Sequence, residues 1–187
     1  MNFSLEKRPA SESEVRAIQK MAYDLAVKYQ YDEAFLICNW LIDDPSTEVA
    51  GYRERSAVKD HMQDLDGAIE DLRVVTLAFD QEPGDFYTLG KLLLQRGSTG
   101  DSILAFDRAI ALCEESGASY YLNSSLLFRA EAYFKKTLYA AALADLLRLP
   151  PAYQTYVPDV GMRSKEQITA EASVALQKQE KSRFRMK

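Results

Sequence analysis

The side chains that could do chemistry in this chain are few and far apart. The sequence holds one histidine, His61, so a metal site built on two imidazoles cannot form. Two carboxylate pairs, Asp43–Asp44 and Glu114–Glu115, are of the type that general acid–base catalysis uses. Both fall near the ends of helical patterns, where carboxylates are readily solvated, and no neighbouring residues supply the desolvation that separates an acid from a base. The stretch "GSTG" at Gly97–Gly100 has the glycines of a phosphate cradle, but it lies between two helical patterns, where a turn needs backbone freedom. Cys38 and Cys113 lack metal-ligand spacing and read as small buried apolar residues. No G-x-S-x-G elbow, H-E-x-x-H helix or phosphate loop is present. The expectation is a protein with no catalytic residue, no metal ligand and no cofactor.

The totals point the same way. The 187 residues are 47% hydrophobic and 27% charged with only 8 Gly and 6 Pro, a composition that favours a helical globular protein. No apolar run reaches the length of a membrane span, and "MNFSLEKRPASESE" lacks the apolar centre of a signal peptide, so a cytoplasmic protein is expected. The net charge of −5 is unevenly spread: residues 178–187 carry five Lys or Arg against one Glu, which leaves −9 on the rest. An acidic body repels nucleic-acid phosphates and suits a basic partner. The basic end itself reads as a solvated, frayed terminus.

The elements that position these residues emerge from a spacing. "YDEA" at Tyr31–Ala34, "LDGA" at Leu65–Ala68 and "TGDS" at Thr99–Ser102 recur at intervals of thirty-four. "YAAA" at Tyr139–Ala142 follows after forty, which requires a six-residue insert, Gly117–Leu122. The aligned windows are 15–48, 49–82, 83–116 and 123–156. In the third, Phe86, Leu89, Gly90, Leu93, Gly97, Phe106 and Ala109 stand at positions 4, 7, 8, 11, 15, 24 and 27. Position 8 is small throughout (Ala22, Ser56, Gly90, Ala130), as is position 20 (Ala34, Ala68, Ser102, Ala142), which lets two helices approach closely. This pattern resembles the tetratricopeptide repeat, a helix–turn–helix unit of 34 residues. It departs from it in the displaced prolines Pro45, Pro83 and Pro150–Pro151, and in Lys59, which stands where an aromatic is usual.

The resemblance implies an all-α, α-solenoid fold of about four helix pairs in a single domain over 1–187. A repeat stack must have its last apolar edge covered. "VPDVGMRSKEQITAEASVALQ" reads as a turn followed by a capping helix over about 164–180, with Ser164 and Gln167 as its capping box and Ile168, Ala172, Ala175 and Leu176 on one face. Ser11 and Glu14 offer the matching start signal for the first helix.

In this repeat family the first helices line a concave groove, to which positions 2, 5, 9, 12 and 13 contribute. The resemblance therefore implies a partner-binding face that includes Tyr23, Arg53, His61, Tyr87, Lys91, Glu131 and Phe134. Aromatics and arginine are the types that dominate binding energy at interfaces, although aromatics at helical spacing also serve as core. Co-chaperones of the family grip acidic chaperone tails with Lys, Asn and Arg at positions held here by Gln19, Tyr23, Glu54, Gly84 and Thr88, so that activity is not expected. The C-terminal "LRLPPAYQTYVPDVGMRSKEQITAEA" resembles small bacterial repeat proteins that act as immunity partners of polymorphic toxins. The implied function is non-enzymatic protein binding, as an immunity protein that neutralises a basic toxin or effector domain. The alternative is a secretion or assembly chaperone that holds a client segment, and neither reading involves nucleic acid or a membrane.

Overall fold

The computed structural model describes residues 8–79, 81–158 and 160–185; residues 1–7 of the amino-terminal stretch and 186–187 of the basic tail lie outside the described residues. Eight helices pair in sequence: α1 Glu12–Val27, α2 Tyr31–Ile42, α3 Glu48–His61, α4 Leu65–Ala78, α5 Pro83–Arg96, α6 Thr99–Ser116, α7 Leu122–Lys135 and α8 Tyr139–Arg148. A short hairpin, β1 Gln154–Val157 and β2 Gly161–Ser164, leads into α9, Lys165–Arg185. The fold is all-α: four helix–turn–helix repeats of the solenoid type, with a ninth helix packed on the last pair. The chain divides into two compact units, Met1–Asp80 and Gln81–Lys187, each holding two helix pairs. No helix among the described residues is long and apolar enough to cross a membrane.

The small residues set the helix spacing within each pair. All eight residues at positions 8 and 20 are buried. Ser56 Oγ donates to the carbonyl of Ala68, a bond of 2.9 Å that runs from position 8 to position 20. A Cβ on Gly90 would stand 2.6 Å from the Phe106 ring, so only glycine fits that crossing without moving the ring.

Position 15 makes every turn. Tyr29, Gln63, Gly97 and Thr137 all adopt the left-handed conformation, with φ of 61°, 63°, 89° and 59°. In each case the next N–H reaches back to the carbonyl at position 11: Gln30 to Leu25, Asp64 to Lys59, Ser98 to Leu93 and Leu138 to Tyr133. This is the Schellman closure of a helix C-terminus, which glycine normally makes without strain. Three of the four turns hold a non-glycine residue there, at a cost on the order of 1–3 kcal/mol each.

In unit 1 the core joins Ile18, Ala22 and Ala26 of α1 to Ala34, Ile37, Cys38 and Leu41 of α2 and Val58 of α3. In unit 2 Phe106 and Phe128 stack at 5.8 Å among Leu126, Leu127, Leu146, Val157 and Ile168. Both cysteines are free and buried. Burial pushes the Cys38 thiol up to about 12 and raises that of Cys113, so neither is a nucleophile at neutral pH.

Two partly buried ion clusters, each centred on a buried Asp, repeat at matched positions. Arg55 forms a fork on Asp71 at 2.7 and 2.9 Å and reaches Asn39 at 2.8 Å. Arg129 does the same with Asp145 at 2.6 and 2.8 Å and with Asp107 at 2.6 Å. Each guanidinium, at position 7, thus ties position 23 of its own repeat to position 25 of the preceding one. Lys59 adds a second contact to Asp71 at 2.8 Å, which explains the missing aromatic at position 11. Burial opposes the charge of Asp71, but Arg55 and Lys59 outweigh it and hold the carboxyl below its usual range. Glu54 is treated differently: one of its oxygens is buried without a hydrogen-bond partner, and desolvation raises its pKa to about 7.

The caps follow the sequence closely. Ser164 N–H donates to Gln167 Oε1 and Gln167 N–H donates to Ser164 Oγ, a reciprocal capping box at α9. At α1 Ser11 Oγ accepts from the Glu14 N–H, but the Glu14 carboxylate bonds the N–H of Ala10 in place of Ser11. Ile168 and Ala172 are fully buried, as a cap requires, and α9 continues as helix into the basic end where a frayed terminus was expected. The insert is a loop, with α6 stopping at a left-handed Gly117 and α7 starting at Leu122. The hairpin was read from the sequence as a turn alone. Its strands pair in the register Gln154↔Ser164, Thr155↔Arg163, Tyr156↔Met162 and Val157↔Gly161, and Val157 points into the core.

Three outcomes are expected. Replacing Ala130 by Leu overpacks the α7–α8 crossing and costs about 1–3 kcal/mol in urea unfolding; an unchanged midpoint contradicts the assignment of position 8. Thr137→Gly relieves left-handed strain and raises stability by about 1 kcal/mol, whereas a loss places the strain elsewhere. For Glu54 the folded pKa lies above its ordinary value, so its contribution to stability is fully present below the unfolded pKa and is lost as pH rises through about 7. Glu54→Gln is therefore expected to raise stability at pH 8 by about 2 kcal/mol, discounted for partial solvent contact, with the gain fading towards pH 4. A gain that does not vary with pH argues against the buried carboxylate as its source.

Candidate functional site

The first helices of the two units carry the residues expected to meet a partner. In unit 1, α1 and α3 pack beside one another. Tyr23, 46 % exposed, lies edge-on to His61 with ring centroids 5.5 Å apart. Tyr31 Oη donates to the His61 carbonyl at 3.4 Å, and Tyr29 meets Tyr31 edge-on at 6.2 Å. Helical spacing explains this grouping. Tyr23 sits one turn before the end of α1, His61 closes α3, and the left-handed turn at Tyr29 brings the chain back beside both. Arg53 stands earlier on α3, its guanidinium 5.6 Å from the Phe79 ring.

Unit 2 treats its four expected residues in different ways. Tyr87 is half-buried: its ring packs on Tyr121 at 5.3 Å, Phe128 at 5.8 Å and Phe106 at 6.4 Å. Burial pushes its phenol up to about 12. Lys91, one turn on, holds its ammonium 5.6 Å over the Tyr87 ring. Phe134 is half-buried at the end of α7 and lies edge-on to Tyr139 at 5.4 Å.

Glu131 is 4 % exposed and is matched to Arg163 of β2 at 3.3 Å. Arg163 also binds Glu171 of α9 at 2.7 Å. The C-terminal segment thus reaches across α7 at two places, through Arg163 of β2 to Glu131 and through Tyr153, just before β1, whose hydroxyl lies 2.8 Å from Ser124 Oγ. Two of the first-helix positions of the fourth repeat are therefore taken up by the chain's own C-terminal segment. Sequence periodicity had no means of pairing Arg163 with Glu131, because Arg163 lies beyond the last repeat.

The hairpin also adds surface at the end of the fourth window and beyond it. Tyr156 and Met162 are cross-strand partners on its outer face, 63 % and 56 % exposed. The alternation that buries Val157 puts Tyr156 outward. Four-residue strands are too short to stand out by periodicity.

Among the described residues no group of three His, Cys, Asp or Glu is placed to hold a metal ion. What the described surface offers chemically is recognition: rings with exposed edges and faces, cations held over aromatics, and carboxylates around them.

No protein-family model and no curated protein sequence matches the chain. Solved structures do resemble it. A protein described as a kinesin light chain of Podosopora anserina, with nearly identical TPR-like repeats, superposes with a TM-score of 0.64 at 13% identity over 94% of this chain and 93% of that one. PilW, described as a widely conserved type IV pilus biogenesis factor, gives a TM-score of 0.61 at 19% identity over 74% of this chain and 61% of its own. MamA gives 0.60 at 15% identity, with 71% and 69% covered. At these identities the likeness speaks for the fold alone, and the fold is that of the tetratricopeptide repeat.

Proposed function

We propose that this chain is a non-catalytic protein-binding module that holds its partner through the exposed faces of its first helices. The observation that carries the reading is the set of aromatic rings and cations left at least partly exposed there: Tyr23 with His61 in unit 1, Lys91 over Tyr87 and Phe134 beside Tyr139 in unit 2. Rings of this type, held rigidly at the edge of a packed helix, lose little conformational freedom on binding and anchor interfaces. Arg53 borders the unit 1 face, and Glu131 supports the unit 2 face through Arg163. The buried, protonated thiols and the single histidine leave little for catalysis to use.

The finer reading is an immunity protein that neutralises a basic toxin or effector domain, acting in the cytoplasm of the cell that makes both. The acidic body supports it, since a charge of −9 outside the C-terminal ten residues steers a cationic domain towards this surface. A chaperone for a secretion or assembly client is the alternative, and the mode of binding separates the two. An immunity protein binds the folded domain and not its short segments, whereas a chaperone binds an isolated unfolded segment.

With the partner recovered from the native cell, Phe134→Ala is expected to weaken the complex by about 2 kcal/mol in calorimetric titration while the helical circular dichroism stays unchanged. The association rate is expected to fall as salt rises, with dissociation changing less. An affinity untouched by both Phe134→Ala and Lys91→Ala moves the contacts off these helices. Turnover of a substrate by the purified chain overturns the reading entirely.

A further inference from the structure

The turn between α1 and α2 carries a residue that folding does not favour. Tyr29 occupies the left-handed position at φ 61°, where a glycine sits without strain, and its ring is 80 % exposed, so burial does not compensate. Gln63 and Thr137 take the same conformation at the equivalent turns, so what sets this turn apart is the large aromatic ring it leaves exposed.

The ring does not stand alone. Tyr29 meets Tyr31, Tyr31 bonds the His61 carbonyl, and His61 meets Tyr23, so these four residues form one connected aromatic surface within unit 1. Val27 and Met62, both exposed, border it and add apolar area. The whole patch is built from the last turns of α1 and α3 and the turn into α2.

Its electrostatics select the occupant. α1 and α3 end here while α2 and α4 begin here, so the helix dipoles offset one another and the side-chain charges decide. The segments 20–33 and 59–66 that frame the patch hold six carboxylates, Asp24, Asp32, Glu33, Asp60, Asp64 and Asp66, against three lysines. Lys20 and Asp24 neutralise one another at 2.7 Å and Lys59 is drawn inward onto Asp71 at 2.8 Å, which leaves Lys28 outnumbered by the five other carboxylates. Aromatic faces in a field of negative charge bind cations, and the stems of long basic side chains lie well on apolar surface.

We infer that this aromatic end of unit 1 docks a lysine- or arginine-bearing segment of the protein partner, its cations against Tyr23, Tyr29 and Tyr31 and its aliphatic stems on Val27 and Met62. The inference rests on the protein-binding reading above and adds the chemistry of what is bound and the place that binds it.

The test uses the full chain and two labelled peptides, one alternating lysine with leucine and one alternating glutamate with leucine. The lysine peptide is expected to bind, more weakly at high salt, and to shift the ring resonances of Tyr23, Tyr29, Tyr31 and His61. Tyr29→Gly separates binding from folding, because it is expected to raise the urea midpoint by removing the strain while weakening the lysine peptide about five-fold. Equal affinity for the glutamate peptide, or Tyr29→Gly binding as tightly as the parent, overturns the inference. So does concentration-dependent self-association that Tyr29→Gly abolishes, since the occupant is then a second copy. If the native partner still binds Tyr29→Gly with undiminished affinity, this docking place fails while the protein-binding reading stands. If no protein partner binds the parent chain at all, the reading itself fails.

Discussion

Each helix pair in this chain depends on the close contact of position 8 with position 20. A residue larger than serine at either position would hold the two helices apart and withdraw the apolar residues around the crossing from one another. The four pairs meet the constraint in different ways: Ala22 and Ala34 are both fully buried, Ser56 bonds the Ala68 carbonyl, Gly90 lies against the Phe106 ring at position 24, and Ala130 and Ala142 are both fully buried. The variation is itself informative. Where the facing matter is as large as phenylalanine, position 8 shrinks to glycine, so the spacing is conserved by volume and not by residue type.

A second constraint operates only in alternate pairs. Position 7 is Met21 and Leu89 in the first and third repeats, with Ile37 and Ala105 at position 23, so these crossings are apolar. In the second and fourth repeats Arg55–Asp71 and Arg129–Asp145 replace them. A buried ion pair adds little net stability over an apolar contact, because desolvation offsets most of the attraction. Its geometry is demanding, however, and each arginine also reaches the preceding repeat, at Asn39 or Asp107. The pairs therefore set register between consecutive helix pairs. Each compact unit has the same internal order, an apolar pair followed by an ion-clamped one.

Most of the fold was legible in the sequence because it repeats. The windows anticipated eight helices and four turns, and the Ser164–Gln167 box marked the start of α9. The Arg–Asp clamps were equally legible, at positions 7 and 23 of alternate windows, but charged residues inside a helical pattern read as solvated faces. The candidate site was harder. A repeat register says which way a position faces, and it placed Tyr23 and His61 together without indicating that Tyr29 and Tyr31 complete the same surface. It also could not show that Glu131 is matched to Arg163, because Arg163 lies beyond the last repeat. Tyr87 illustrates the remaining ambiguity: its position faces the first-helix surface, yet most of its ring belongs to the aromatic core around Phe128.

The central claim is that the first helices, and not the second, meet the partner. Hydrogen exchange of the chain alone and in complex measures this directly. The account predicts that binding slows exchange in α1, α3, α5 and α7 and in the turn from Tyr29 into the start of α2, with the rest of α2 and α4, α6 and α8 unchanged. Protection confined to the second helices, or to α9 and the hairpin, would contradict it.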